Sequence, residues 1–333
     1  HLGSEPGARP WEQQGFDFSY GALTGAVHPY AHTYRSGPLE HTWHRNGARV
    51  DEAGTHTTDL LAREALTWLG GQDRSRPWFL YLPMFATHTP VDAPPEWKAR
   101  YANEMFFADA ARNESAIRYA AMISHMDDAI GRVVGKIRAL GQEENTLIFF
   151  IADNGGPTAS TTSHNGPLRG FKMTTFEGGP RVPYIAQWKG KIPAGKTYDL
   201  PVMNLDVLPT AIIAAGGKTD PSWQLDGVDL MPYLTGKPTS RPHQTLYWRY
   251  GPQWAIRHGD LKLVVSKGGS GQPELYDLAT DIGESKDLAS AQPAKVKELQ
   301  ALWDKWSAEQ APASTPDASS GGATKKNKKK KGK

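Results

Sequence analysis

The sequence contains no cysteine among its 333 residues. That excludes disulfides, cysteine-ligated zinc and a cysteine nucleophile, and it leaves the redox compartment open. No apolar run is long enough to span a bilayer, and no internal repeat is present. Neither sign of charge dominates, with 38 Lys and Arg against 35 Asp and Glu, a net +3. Seven lysines fall between Lys325 and Lys333; without them 31 cations face 35 carboxylates, and residues 1–324 carry −4. The high pI therefore belongs to the tail and gives the globular part no reason to bind nucleic acid. An initiator methionine is lacking too. The chain opens on His1, so the natural start is expected to lie upstream, and the absence of a visible signal peptide carries no weight.

What is present is organised around Thr146 to Arg181. Leu147 to Ala152 is a continuous apolar run rich in β-formers, which fits a strand buried on both faces. It stops at Asp153-Asn154-Gly155-Gly156. Two oxygen-bearing side chains at the carboxyl end of such a strand suit a hard cation, Ca²⁺ or Mg²⁺, and equally suit an Asx-Gly turn. Downstream, Arg169 and Lys172 stand among Gly166, Gly170, Gly178 and Gly179. Cations on a backbone that can approach a ligand closely suit an anionic oxyacid group.

The rest of the chain reads as follows. Residues 18–55 lack periodicity and suggest short strands in a long irregular segment; the spacing of His28, His32, His41 and His44 forms no known ligand set, so they read as surface loop histidines. Leu61, Ala65, Trp68 and Leu69 predict a helix over 57–69, capped by Thr57 or Thr58 and stopped by Gly70-Gly71. Pro77 opens a short apolar strand at 78–82, followed by His88 just beyond its end. A long helix is predicted over 112–140, with Asp128 and Arg132 as an i,i+4 surface pair. Strand, helix, strand at 78–82, 112–140 and 147–152 makes one βαβ crossover and argues for a mostly parallel sheet. Another strand begins near Val182, and a helix follows over 204–215, with Asp206 as a possible cap. Residues 218–243 are rich in Pro and Gly and mark a boundary. TLYWRY, QWAIRHG, LKLVVS and ELYDL then suggest an antiparallel meander of four strands, covered on one face by an amphipathic helix from Val296 to Trp306. The expected class is α/β, a mostly parallel sheet flanked by helices, with a smaller C-terminal α+β domain. The expected domains are 1–220 and 221–309, and 310–333 is expected to be a disordered Lys-rich tail.

Several motifs carry a family resemblance. ADNGG followed by NGPLRGFKMTTFEGGPRVP resembles the core of the sulfatase family of the alkaline-phosphatase superfamily. His1-Leu2-Gly3 with Pro10 and Gly15-Phe16-Asp17 resembles the second half of a Gly-Lys-Trp-His-Leu-Gly motif. His88-Thr89-Pro90 resembles a family His-Thr-Pro, and Glu274 to Ala289 resembles the closing segment of sulfatase C-terminal domains. The resemblance implies a sulfuric ester hydrolase, secreted or periplasmic in its complete form, acting on an aryl sulfate or sulfated carbohydrate. It implies that Asp153 and Asn154 bind Ca²⁺ or Mg²⁺, that Lys172 binds the sulfate, and that His88 is a sulfate ligand and general acid. His1 would contact the nucleophile. That nucleophile is a formylglycine made from Cys or Ser in a Cys/Ser-x-Pro-x-Arg motif. Neither form of the motif occurs here, and Asn165-Gly166-Pro167-Leu168-Arg169 has Asn in the nucleophile's place. The chain is thus expected to lack its N-terminal part and to be inactive alone. Two other readings stand beside it: a noncatalytic sulfated-glycan-binding protein, and a phosphate-ester hydrolase of the same superfamily.

Overall fold

A computed structural model describes residues 14–34, 40–236 and 240–311. The chain divides into two compact units, one comprising His1–His164 and Pro183–Pro242, the other Asn165–Val182 and His243–Lys333. His1 and the Lys-rich tail lie outside the described residues.

In the first unit, β1 (Tyr20–Ala22), β2 (Trp43–Arg45) and β3 (Ala48–Arg49) form a small antiparallel sheet. His32 is interior rather than superficial: it stacks on Trp43 and bonds the Thr55 carbonyl at 2.8 Å. Helix α1 (Thr57–Gly70) ends at the Gly71 cap, as its sequence predicts, but its N-cap is His56. Thr57 and Thr58 already lie within the helix. The extended backbone of His56 lets Nδ1 accept the Thr58 amide at 3.1 Å, the task usually given to a Ser or Asp oxygen. A short helix α2 (Pro95–Ala99) precedes α3 (Ala110–Ala139), which is capped by Asp109 and carries the expected Arg132–Asp128 pair at 3.0 Å. Ala65 and Leu69 of α1 pack on Val133 and Ile137 of α3.

The parallel crossover is not what the described residues form. β4 (Ile148–Ile151) pairs with β5 (Tyr184–Gln187), and the pairing is antiparallel. Residues 78–82 alternate as a strand would: Trp78, Leu80 and Leu82 join the core beside Ile148, while Phe79 and Tyr81 are 62% and 67% exposed. Yet they join no ladder. Alternation fixes which face is apolar but not who supplies the hydrogen bonds, and no partner strand lies among the described residues. Helix α4 (Val207–Ala214) follows a 3₁₀ turn, and a one-turn helix α5 spans Met231–Leu234. Asp206 is fully buried and accepts the Met203 and Val228 amides. No described helix is long and apolar enough to cross a membrane.

In the second unit the meander and its helix follow the sequence reading, but the unit begins at His243 rather than 221 and takes in Asn165–Val182, which the sequence reading placed in the first domain. Strands β6 (Thr245–Tyr250), β7 (Gln253–His258), β8 (Leu261–Val265) and β9 (Glu274–Asp277) make an antiparallel meander in sequence order. Side chains alternate between its faces. Ile256, Leu263 and Leu275 meet Leu299 and Trp303 of α6 (Pro293–Glu309). Ala255, Val264 and Tyr276, on the other face, meet Phe176. Segment 165–182 therefore covers the face that α6 leaves open.

Candidate sulfate and metal site

The two metal-type residues follow β4 directly. The Ala152 amide still bonds the Pro183 carbonyl at 3.2 Å, so the ladder holds the chain up to Asp153. Asp153 is exposed, and its carboxylate has no hydrogen bond or ion pair with the described residues. Asn154 donates its amide nitrogen to the Gly155 carbonyl at 3.0 Å, which leaves the amide oxygen available to a cation. Both donors are hard oxygens and fit Ca²⁺ or Mg²⁺; such ions take six or more ligands, so two residues are part of a shell.

His88 is also in the first unit and exposed. Its amide donates to the Phe85 carbonyl at 2.8 Å. Its Nδ1 lies 2.7 Å from the Thr89 carbonyl, a pure acceptor, so Nδ1 carries a proton and Nε2 is the working end. As an acid, this ring would deliver a proton from Nε2.

Lys172 belongs to the second unit. It is half-buried and makes no hydrogen bond or ion pair with the described residues. The sequence reading paired it with Arg169 as a second anion-binding cation, and here the structure differs. The Arg169 guanidinium donates to the Tyr276 hydroxyl at 2.8 Å and to the Glu284 carbonyl at 3.0 Å, faces Glu274 at 3.4 Å, and stacks 3.8 Å from the Phe176 ring centre. It is spent on packing. The glycines nearby serve the same end. A Cβ on Gly178 would meet the Gly170 carbonyl at 2.4 Å, and one on Gly179 the Thr174 carbonyl at 2.0 Å. The backbone here approaches itself.

One polar cluster was not foreseen. His56, Asp59 and His125 bring three ligand-type atoms within 4.8 Å of one another in the interior of the first unit. His125 Nε2 lies 3.0 Å from Asp59 Oδ1, which also accepts from Arg132 at 3.0 Å. The hydrogen bond from His125 holds the Asp59 carboxyl below the usual range, against the pull of burial. Burial, reinforced by His125, pushes the His56 imidazole down to about 4. The set does not fit a metal. His56 Nδ1 accepts from the Thr58 amide, so the ring proton sits on Nε2, 3.3 Å from the Asp92 carbonyl. A ligating nitrogen needs a free lone pair, and His56 has spent its own on the cap. The sequence signal for this network was a helix start with His56 and Asp59 three residues apart, the spacing of a capping box.

A family model for sulfatases matches residues 4–217, and the chain belongs to the sulfatase family. It is 33% identical over 275 residues to N-acetylgalactosamine-6-sulfatase of Sus scrofa, covering 79% of this chain and 50% of that protein. It is 33% identical over 263 residues to arylsulfatase A of Homo sapiens, covering 69% and 49%. The chain thus spans about half the length of the curated relatives it matches. The crystal structure of Ps i-CgsB superposes with a TM-score of 0.81 at 30% identity, over 92% of this chain and 69% of that one. The fold is of the sulfatase, alkaline-phosphatase-like kind, with a C-terminal antiparallel sheet.

Proposed function

We propose that this chain is part of a sulfuric ester hydrolase that removes sulfate from sulfated saccharides. The observation that carries the reading is the family match over residues 4–217, which includes every candidate site residue here except His1. Lys172 is assigned to the sulfate, His88 to the sulfate and to protonation of the departing oxygen, and Asp153 with Asn154 to a divalent cation. His1, beside the nucleophile by resemblance, keeps that assignment as part of the proposal. When bound, the cation would draw charge from the sulfate oxygens. The chemistry of the chain's own groups divides the remaining work. An ammonium neutralises a sulfate without moving a proton, whereas an imidazolium can hand a proton to an alkoxide near neutral pH. The residues present do not fit formylglycine, because neither Cys nor a Ser-x-Pro-x-Arg is in the sequence. The nucleophile is therefore assigned to sequence outside this chain.

The saccharide class is supported by relatives. One similar protein is an N-acetylgalactosamine-6-sulfatase, and Ps i-CgsB has been crystallised with k-i-k-neocarrahexaose. Export from the cytoplasm and a mostly parallel sheet that takes in residues 78–82 belong to the same proposal for the longer protein. The test compares aryl sulfate with aryl phosphate as substrates of the full-length protein, with and without Ca²⁺. Sulfate preference is expected, and Asp153→Ala is expected to weaken Ca²⁺ binding so that more Ca²⁺ is needed for activity. A preference for phosphate would overturn the sulfatase reading. Tight sulfated-glycan binding with no hydrolysis by the full-length protein would establish the noncatalytic reading instead.

A further inference from the structure

Lys262 is the second residue of β8 and has 0% exposure. Its Nζ is 2.7 Å from Glu177 Oε1 and 2.9 Å from Glu284 Oε1, and Glu284 Oε2 accepts the Glu177 amide at 2.6 Å. Burial would push both carboxyls up. In Glu177 the ammonium, with Arg257 and Arg181 near, outweighs it and holds the group low. In Glu284 burial prevails and the group stays raised. Taking three ions out of water costs several kcal/mol each, and an apolar cluster of equal volume is often as stable. Stability alone is thus a weak account of the triad.

Its connections suggest another. Glu177 belongs to the segment that bears Lys172, Lys262 to the sheet beneath, and Glu284 to the loop after β9. Arg169, on Phe176 and Tyr276, ties the same segment a second time. Thr175 ties it a third time, its amide donating to Ser266 Oγ at 3.0 Å. Between these ties the chain turns sharply. Met173 sits at φ +70°, which a residue with a side chain keeps only when its surroundings impose it. Gln253 imposes it in part, donating Nε2 to the Met173 carbonyl at 2.9 Å. An apolar contact would let such a segment slide, whereas charged hydrogen bonds fix direction as well as distance.

We infer that Lys262, acting with Glu177 and Glu284, is a positioning residue for Lys172: the buried ions fix the 169–179 turn so that the Lys172 ammonium is presented to an anionic oxyacid group. This rests on the reading of Lys172 as the sulfate-binding cation. A turn fixed in advance lowers the ordering cost of binding, and a lysine on a mobile turn would pay that cost on every encounter.

The test uses the full-length protein with two variants. Lys262→Met strands two buried carboxylates and can fail to fold. Lys262→Met/Glu177→Gln/Glu284→Gln removes all three charges at similar volume. Amide hydrogen exchange is read at 169–180 and across β6 to β9, and sulfate ion affinity is titrated with Lys172→Ala as the reference. In the triple variant, melting temperature and sheet protection are expected to hold. Amides of Thr175, Glu177, Gly178 and Gly179 should exchange about 100-fold faster, and the sulfate Kd should rise about tenfold, towards that of Lys172→Ala. Unchanged protection at 169–180 would overturn the inference. So would equal loosening of the sheet, which would make the triad a general stabiliser. If the parent chain and Lys172→Ala bind sulfate alike, the anion role of Lys172 falls with the proposed function, and the exchange data alone decide whether the triad positions the turn.

Discussion

His56 should make the first unit sensitive to acid. Its ring is 2% exposed, and burial, with His125 facing it, lowers its pKa from 6.5 to about 4. The groups around it are His125 of α3 at 4.8 Å between ring centres, Asp59 of α1 with its Arg132 partner, the Asp92 carbonyl and the Tyr30 ring. The unfolded chain takes up a proton near pH 6.5, and the folded one declines it until about pH 4. Between those limits the unfolded state binds more protons, so stability falls as the pH falls. At ~1.4 kcal/mol per pH unit the loss over that window is about 3 kcal/mol. Protonation also removes the Nδ1 lone pair that caps α1. Asp59, held low, adds its own loss only below the ordinary carboxylate value of 3.8. Urea unfolding at a series of pH values from 7.5 to 4 measures this, with His56→Asn as the comparison. Asn is neutral and a strong N-cap, so it keeps the helix start and removes the titration. The parent chain should lose about 3 kcal/mol more than the variant over the window. Parallel pH profiles would refute the reasoning.

Gly179→Ala should cost about 3 kcal/mol, because its Cβ would lie 2.0 Å from the Thr174 carbonyl and that atom is backbone; a chemical denaturation midpoint close to that of the parent would show that the turn can open. Arg169→Met keeps the bulk over Phe176 but leaves Glu274 in the interior without its cation, and should cost about 3 kcal/mol by the same assay. In the full-length protein, His88→Ala should lose most turnover on an alkyl sulfate and less on an aryl sulfate, whose phenol leaves readily without a proton. Equal losses in kcat/KM on both would leave His88 a sulfate ligand only.

What the sequence made legible is what local pattern encodes. The meander could be read because short alternating runs are separated by turn residues, and the alternation sorted Ile256 and Leu263 to one face, Ala255 and Val264 to the other. The long α3 could be read from its helical spacing. Segment 165–182 could not be placed, because its ties are to residues some ninety positions away, as Thr175 is to Ser266, and no short window contains them. Arg169 misled for a related reason. Glycines around a cation signal close approach of the backbone, but not what is being approached. His56 is illegible as a cap because N-caps are ordinarily oxygen-bearing residues, while imidazole Nδ1 has the same lone pair at nearly the same reach.

The charged groups of this chain fall into two kinds once the partners are known. Arg169, Lys262, Glu177, Glu284, Asp59 and Arg132 all have internal partners, and removing any of them is a stability experiment first. Asp153, Lys172 and Nε2 of His88 have none among the described residues. Exposure by itself explains a lone charge, since most surface lysines and aspartates are solvated and serve nothing further. The informative point is how firmly the backbone under each is held. Asp153 follows a ladder bond at Ala152, and His88 is tied through both its amide and its Nδ1. Lys172 rides a turn pinned by buried ions and by a strained Met173. Strain and ion burial both raise the energy of the folded state, so they persist only where something outweighs that cost. A mobile loop would solvate Lys172 just as well at lower energy. On the proposed reading of Lys172, a fixed turn lowers the ordering cost of holding the ammonium against an anion supplied from outside the chain.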